Sequence, residues 1–139
     1  MTGTRSEFEI MNELYPEDTI AGVALASAAR TASVNSSQLR KPKWARGVKV
    51  FINCTVDPAA ASVVFTIAEA GPIATTTYST LLVSAAIAGV GQTVLTIYPG
   101  VTPANNVALS APLGDLWRVQ AVAADADSIT YSVGFTYLP

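Results

Sequence analysis

Histidine is absent from this 139-residue chain, and cysteine occurs once, at Cys54. Without an imidazole no Ser-His or Cys-His pair can generate a nucleophile and no His-bearing metal centre can form, so an enzyme is not expected. A lone thiol cannot close an intrachain disulfide, and within FINCTV it reads as a small core side chain. Charge is equally scarce. Eight basic and ten acidic side chains make up 13% of the residues, where an average globular chain carries about 25%. With a mean hydropathy of +0.39, the surface is expected to be unusually neutral. No apolar run reaches the roughly 18 residues of a membrane-spanning helix. The nearest candidates are TIAGVALASAA at 19–29 and LLVSAAIAGV at 81–90. The first follows Glu13, Glu17 and Asp18 instead of lysines or arginines, so it does not read as a secretory signal, and synthesis in a reducing cytoplasm is expected. GxGxxG, GxxxxGK, GxSxG and CxxC are all missing.

The few charges that are present are segregated. Residues 1–18 hold five acids and one base, residues 30–49 hold six bases and no acid, and residues 50–139 hold five acids and one base. The first segment also has the spacing of a short amphipathic helix. Ser6 and Glu9 fit a capping box, Phe8, Met11 and Tyr15 recur with Ile10 and Leu14, and Pro16 stops the run. About ten helical residues are marginal alone and need a surface to pack on. The expected division is an N-terminal arm over 1–19 and a β-sandwich domain over 20–139.

From about residue 20 the apolar period is two. In GVKVFINCTV one face carries Val48, Val50, Ile52, Cys54 and Val56, with Phe51 interrupting the polar face. Asp57-Pro58 starts a turn, and SVVFTIAEA resumes with Val63, Phe65 and Ile67, so the two read as a hairpin. YSTLLVSAA, QTVLTIYP, WRVQAVAA and ITYSVGFTY follow; the last aligns Ile129, Tyr131, Val133, Phe135 and Tyr137 inward. A strand across 28–35 brings the total to about seven, which indicates an all-β, antiparallel sandwich or jelly roll. The alternation does not separate a sandwich from a closed barrel. Two connections, 36–46 and 99–115, exceed what a hairpin needs. Alanine, 23 residues, is a poor strand former and suggests close approach of chains where it falls in strands, and a helix remains an alternative for 81–90.

Three constellations are candidates for function. Asp125 and Asp127 in ADADS lie on one strand face, as calcium ligands or paired acids would, but two aspartates between strands fit a turn better, and no metal or other cofactor is expected. RKPKWARGVK at 40–49 sets Arg40, Lys41, Lys43, Arg46 and Lys49 around Trp44. A solvated strand edge guarded by lysines comes first, docking on an acidic surface second, and nucleic acid last, because the chain is acidic overall with a pI near 4.9. Trp44, Tyr78, Tyr98 and Tyr131 would supply the platforms of a carbohydrate-binding or host-surface module, although Tyr131 falls on the core parity.

The ordered blocks ASVVFTI at 61–67, YSTLLVSAAI at 78–87, IYPGVT at 97–102, LWRVQAV at 116–122 and SITYSVG at 128–134 resemble small β-sandwich virion proteins of tailed bacteriophages. The resemblance covers about residues 46–138 and departs from the pattern at EAGPIATTT, 69–77, and in the acidic arm. It implies a structural subunit that coats or joins the particle. The expected role is a capsid decoration (cement) protein on the virion surface, made in the host cytoplasm and partnered by the major capsid protein and by other copies of itself. Neither nucleic acid nor membrane is expected as a partner, and a tail or neck ring component is the alternative. The candidate contacts are Phe8, Met11, Tyr15, Arg40, Lys41, Lys43, Trp44 and Arg46.

Overall fold

The computed structural model describes residues 19–139. Phe8, Met11 and Tyr15 lie outside the described residues. Eleven strands run β1 Ala21–Arg30, β2 Val34–Asn35, β3 Leu39–Arg40, β4 Gly47–Val56, β5 Ser62–Ala70, β6 Tyr78–Val83, β7 Ile87–Ala88, β8 Gly91–Ile97, β9 Ala108–Leu109, β10 Leu116–Ala123 and β11 Ile129–Leu138, and no helix occurs among the described residues. Seven of the eleven are longer than two residues. They form two sheets, one ordered β1-β11-β4-β8-β9 and the other β2-β10-β5-β6 with β3 on β10 and β7 on β5. Every pairing between strands is antiparallel except β8 with β9. The two sheets pack face to face as a β-sandwich.

The inward faces follow the alternation. Val48, Val50, Ile52 and Cys54 of β4, Val63, Phe65 and Ile67 of β5, Trp117, Val119 and Ala121 of β10, and alternate residues from Ile129 to Tyr137 of β11 are all buried. Val56 is an exception, half-exposed where β4 leaves the sheet. Edge-to-face ring pairs cross between the sheets: Phe65 on Tyr131 at 5.1 Å and Trp117 on Phe135 at 5.1 Å. Such pairs contribute about 0.5–1.5 kcal/mol each beyond their buried area. Glycine makes room at one of these contacts. A Cβ on Gly22 would lie 2.6 Å from the Phe135 ring, which is opposite it in register.

Two expectations are corrected and one alternative is closed. β4 and β5 are not a hairpin, because β4 pairs with β11 and β8 in one sheet while β5 pairs with β10, β6 and β7 in the other. The intervening turn crosses the sandwich. Asp57 holds it there, its carboxylate accepting from the Ala61 N–H at 2.7 Å and the Gly89 N–H at 2.6 Å. Gly89 sits at φ +92°, a conformation that strains any side chain with a Cβ. The strand expected at 28–35 is instead the end of β1 and the two-residue β2, separated by residues 31–33. The alternation across 21–30 is obscured by two register shifts in β1, since an extra residue inverts side-chain parity. The short strand read at YSTLLVSAA is present as β6, which ends at Val83, and the helical alternative for 81–90 is closed: Ser84 exchanges hydrogen bonds with Phe65, and β7 follows at Ile87–Ala88.

Candidate interaction surfaces

The outer face of the β1-β11-β4-β8-β9 sheet carries an apolar row at its centre. Register places Val23 of β1 opposite Gly134 of β11, Gly134 opposite Phe51 of β4, and Phe51 opposite Val94 of β8. The row therefore spans four strands, from a Val23 that is 66% exposed, through half-buried Gly134 and Phe51, to a partly exposed Val94. The rows on either side are short and polar: Thr136, Lys49 and Thr96 above it, Ser132, Asn53 and Gln92 below it. Lys49 is the one charged side chain among these outward positions. Phe51, which breaks the alternation in the sequence, is thus the centre of an outward stripe.

The basic stretch does not form one patch. Arg40 in β3 reaches Asp115 at 3.2 Å, a pair more than half exposed on both sides and therefore worth little, about 0–1 kcal/mol. Lys43 is exposed, Lys41 is half-buried, and Trp44 is half-buried and packed against the core. Arg46 lies over the Tyr98 ring at 5.4 Å and donates to its hydroxyl at 2.9 Å, while that hydroxyl donates to the Pro139 carbonyl at 2.6 Å. Lys49 belongs to the sheet face instead. Backbone bonds from the Arg46 N–H to Leu138 and from the Leu113 N–H to Arg46 fix the loop against the end of β11. Arg30 is elsewhere, donating to the Tyr131 carbonyl at 2.9 Å and to Ala26 at 2.6 Å near the opposite end of β11. The structure brings Arg40, Lys41, Lys43 and Arg46 to one end of the sandwich and separates them from the other two bases.

The remaining candidates resolve locally. Asp125 accepts the Asp127 N–H at 2.9 Å, a turn between β10 and β11. Among the described residues no three Cys, Asp or Glu side chains converge as metal ligands. Tyr131 is buried, and desolvation raises its pKa despite the nearby Arg30. Burial likewise raises the Cys54 thiol, with Asp57 adding to the effect. Raised thiols are poor nucleophiles at neutral pH. Tyr78 and Tyr98 are each half-buried under an arginine, on different elements.

One residue escapes sequence reasoning. Arg118, the only base after Lys49, projects from the outer face of β10 and stacks on Tyr78 of β6 at 3.9 Å, across the intervening β5. Its isolation in a neutral run was the only signal available. Compared with protein-family models and with curated proteins, the chain matches none.

Proposed function

We propose that this protein is a structural subunit of a tailed-bacteriophage virion, a decoration protein that binds the assembled major capsid lattice and contacts neighbouring copies. The observation that carries the reading is the apolar row Val23–Gly134–Phe51–Val94 within a sheet face bearing one lysine. A water-facing sheet is normally polar and charged, and a neutral outer face suits permanent burial against another subunit. The ordered strand blocks that resemble small virion proteins support the same reading. Catalysis has no part in it. Binding the lattice more tightly than free capsid subunits converts affinity into shell stability, because any ligand selective for one state stabilises that state.

Copy number in purified particles tests the proposal. On the order of hundreds of copies, following the lattice symmetry, is the expected result. About a dozen or fewer would place the protein in a neck or tail ring instead, and absence from the particle would remove the virion role altogether.

A further inference from the structure

Arg118 and Tyr78 meet over a floor of small residues. Arg118 is opposite Ala68 in register, and Tyr78 is opposite Ala70. Both alanines point outward yet are only 5% and 6% exposed, consistent with a guanidinium and a phenol ring lying across them. Alanine here gives the arginine a trough in which to cross β5. On the far side, Gln38 Nε2 donates to the Tyr78 hydroxyl at 2.8 Å and to the Thr75 carbonyl at 2.6 Å, which fixes the ring and ties down the 71–77 loop. The arginine's own hydrogen-bonding capacity is not spent. Its Nε is buried and has no acceptor among the described residues. Buried donors are almost always paired, and an unpaired one is costly.

We infer that Arg118, oriented by Tyr78, is a receptor for a single carboxylate side chain of a protein partner. The inference deepens the assembly reading by naming what this second sheet face takes. With Nε buried, the donors left for a partner are those of the two Nη groups, a planar fork that matches two carboxylate oxygens, and stacking on a ring pre-orients that fork. The surroundings point to a protein carboxylate rather than a phosphate. On one side the outward rows are uncharged, Gln120, Thr66 and Val83, then Val122 and Val64; on the other, the row of Tyr78, Ala70 and Leu116 ends at Arg40, whose charge is answered by Asp115. One cation balances one carboxylate but leaves a phosphate dianion half-neutralised, in a chain already acidic with a pI near 4.9. Val83 and Val122 are partly exposed on this face, and Ile73 is 96% exposed on the loop that Gln38 holds. Arginine and tyrosine beside exposed aliphatic groups are the composition of an interface anchor.

The Nε–Hε resonance of Arg118 in the full chain reports on the state of the guanidinium. It is followed while N-acetyl-glutamate N-methylamide is added at constant ionic strength, with the matching glutamine compound and inorganic phosphate as separate arms. The expected result is a saturable shift with the glutamate compound, at least about threefold tighter than with phosphate, and no saturation with the neutral amide. The Arg40 and Arg46 resonances should move no more than salt alone moves them. R118K, which keeps the charge and loses the fork, should weaken the saturation at least about tenfold. No saturation in the unaltered chain, equal response to the amide, or tighter binding of phosphate each overturns the inference. The virion reading fails separately: a saturable carboxylate site in a protein absent from particles would retain the receptor and remove the capsid.

Discussion

The Trp117 indole N–H donates to the Tyr137 hydroxyl at 3.1 Å, joining β10 of one sheet to β11 of the other inside the core. The Tyr137 hydroxyl in turn donates to the Arg40 carbonyl at 3.3 Å, so the chain of bonds continues from the core to the basic loop. Tyr137→Phe leaves the fully buried indole donor without its acceptor. The expected loss is about 1–3 kcal/mol of unfolding free energy, read as a lower denaturation midpoint at an unchanged slope. A midpoint equal to that of the unaltered protein would show that the bond contributes nothing.

Asp57 fastens the crossing between sheets through two backbone N–H groups on different loops. Asp57→Ala frees both. The expected effect is a stability loss of about 1–3 kcal/mol, since hydrogen bonds to a charged group exceed neutral ones. Amide exchange separates this effect from general loosening: protection at Ala61 and Gly89 should fall by more than the change in global stability predicts. Uniform loss across the sheets would contradict the local role.

How much of this was legible in the sequence follows from what alternation encodes. β11 was readable to the residue, because it lies between β1 and β4 and all five inward positions meet the opposite sheet. Alternation does not name a partner strand, however. Five residues from Asp57 to Ala61 fit a hairpin turn as well as a sheet crossing, and the deciding contact, Asp57 to Gly89, joins positions 32 apart. β1 was blurred because alanine marks neither face clearly and bulges shift the parity. The cations at 40–49 look like one patch in sequence, but strand geometry sends Lys49 to the sheet face while Arg46 turns to Tyr98. Arg118 and Tyr78 are brought together only by the strand order β10-β5-β6.

Alkaline pH should destabilise the fold through three buried acids. Desolvation raises Cys54, Tyr131 and Tyr137 above their ordinary values of 9.0 and 10.0. The folded protein then keeps protons that the unfolded chain releases. This contribution is fully present below the ordinary thiol and phenol values and is lost as pH rises through the higher folded ones. Unfolding free energy should therefore fall progressively above about pH 9. Denaturant midpoints between neutral and alkaline pH, with phenolate absorbance followed in parallel, check this. A midpoint that rises across the thiol and phenol range would contradict the assigned direction.

Gly22 and Gly134 are neighbours across β1 and β11 but should differ sharply on substitution. A Cβ on Gly22 collides with the Phe135 ring, while a Cβ on Gly134 meets only the Gly22 carbonyl oxygen at 3.5 Å, an ordinary contact. Gly22→Ala must displace a buried ring and is expected to cost about 1–3 kcal/mol. Gly134→Ala should leave stability within about 0.5 kcal/mol or raise it, because glycine weakens a strand interior. Thermal denaturation of the two variants side by side decides the point, and equal destabilisation would mean that the close approach is at the backbone and not at the ring.

Val94→Lys puts the sharpest question to the outer face. Val94 is partly exposed, opposite Phe51 in an edge region paired only with β4 and the short β9. A lysine there can extend its stem along the sheet and keep its ammonium in water, so the isolated domain should lose less than about 0.5 kcal/mol. In an assembly that covers this face the same ammonium would be buried at the end of the apolar row, beside Phe51, without an acid on this face to pair with it. Burying one unpaired charge costs several kcal/mol, enough to abolish retention on the particle. Folding is read from circular dichroism and denaturation of the free protein, and retention from sedimentation with purified shells. A variant that folds normally and still cosediments at full occupancy would remove this face from the interface, and with it the observation on which the decoration role rests.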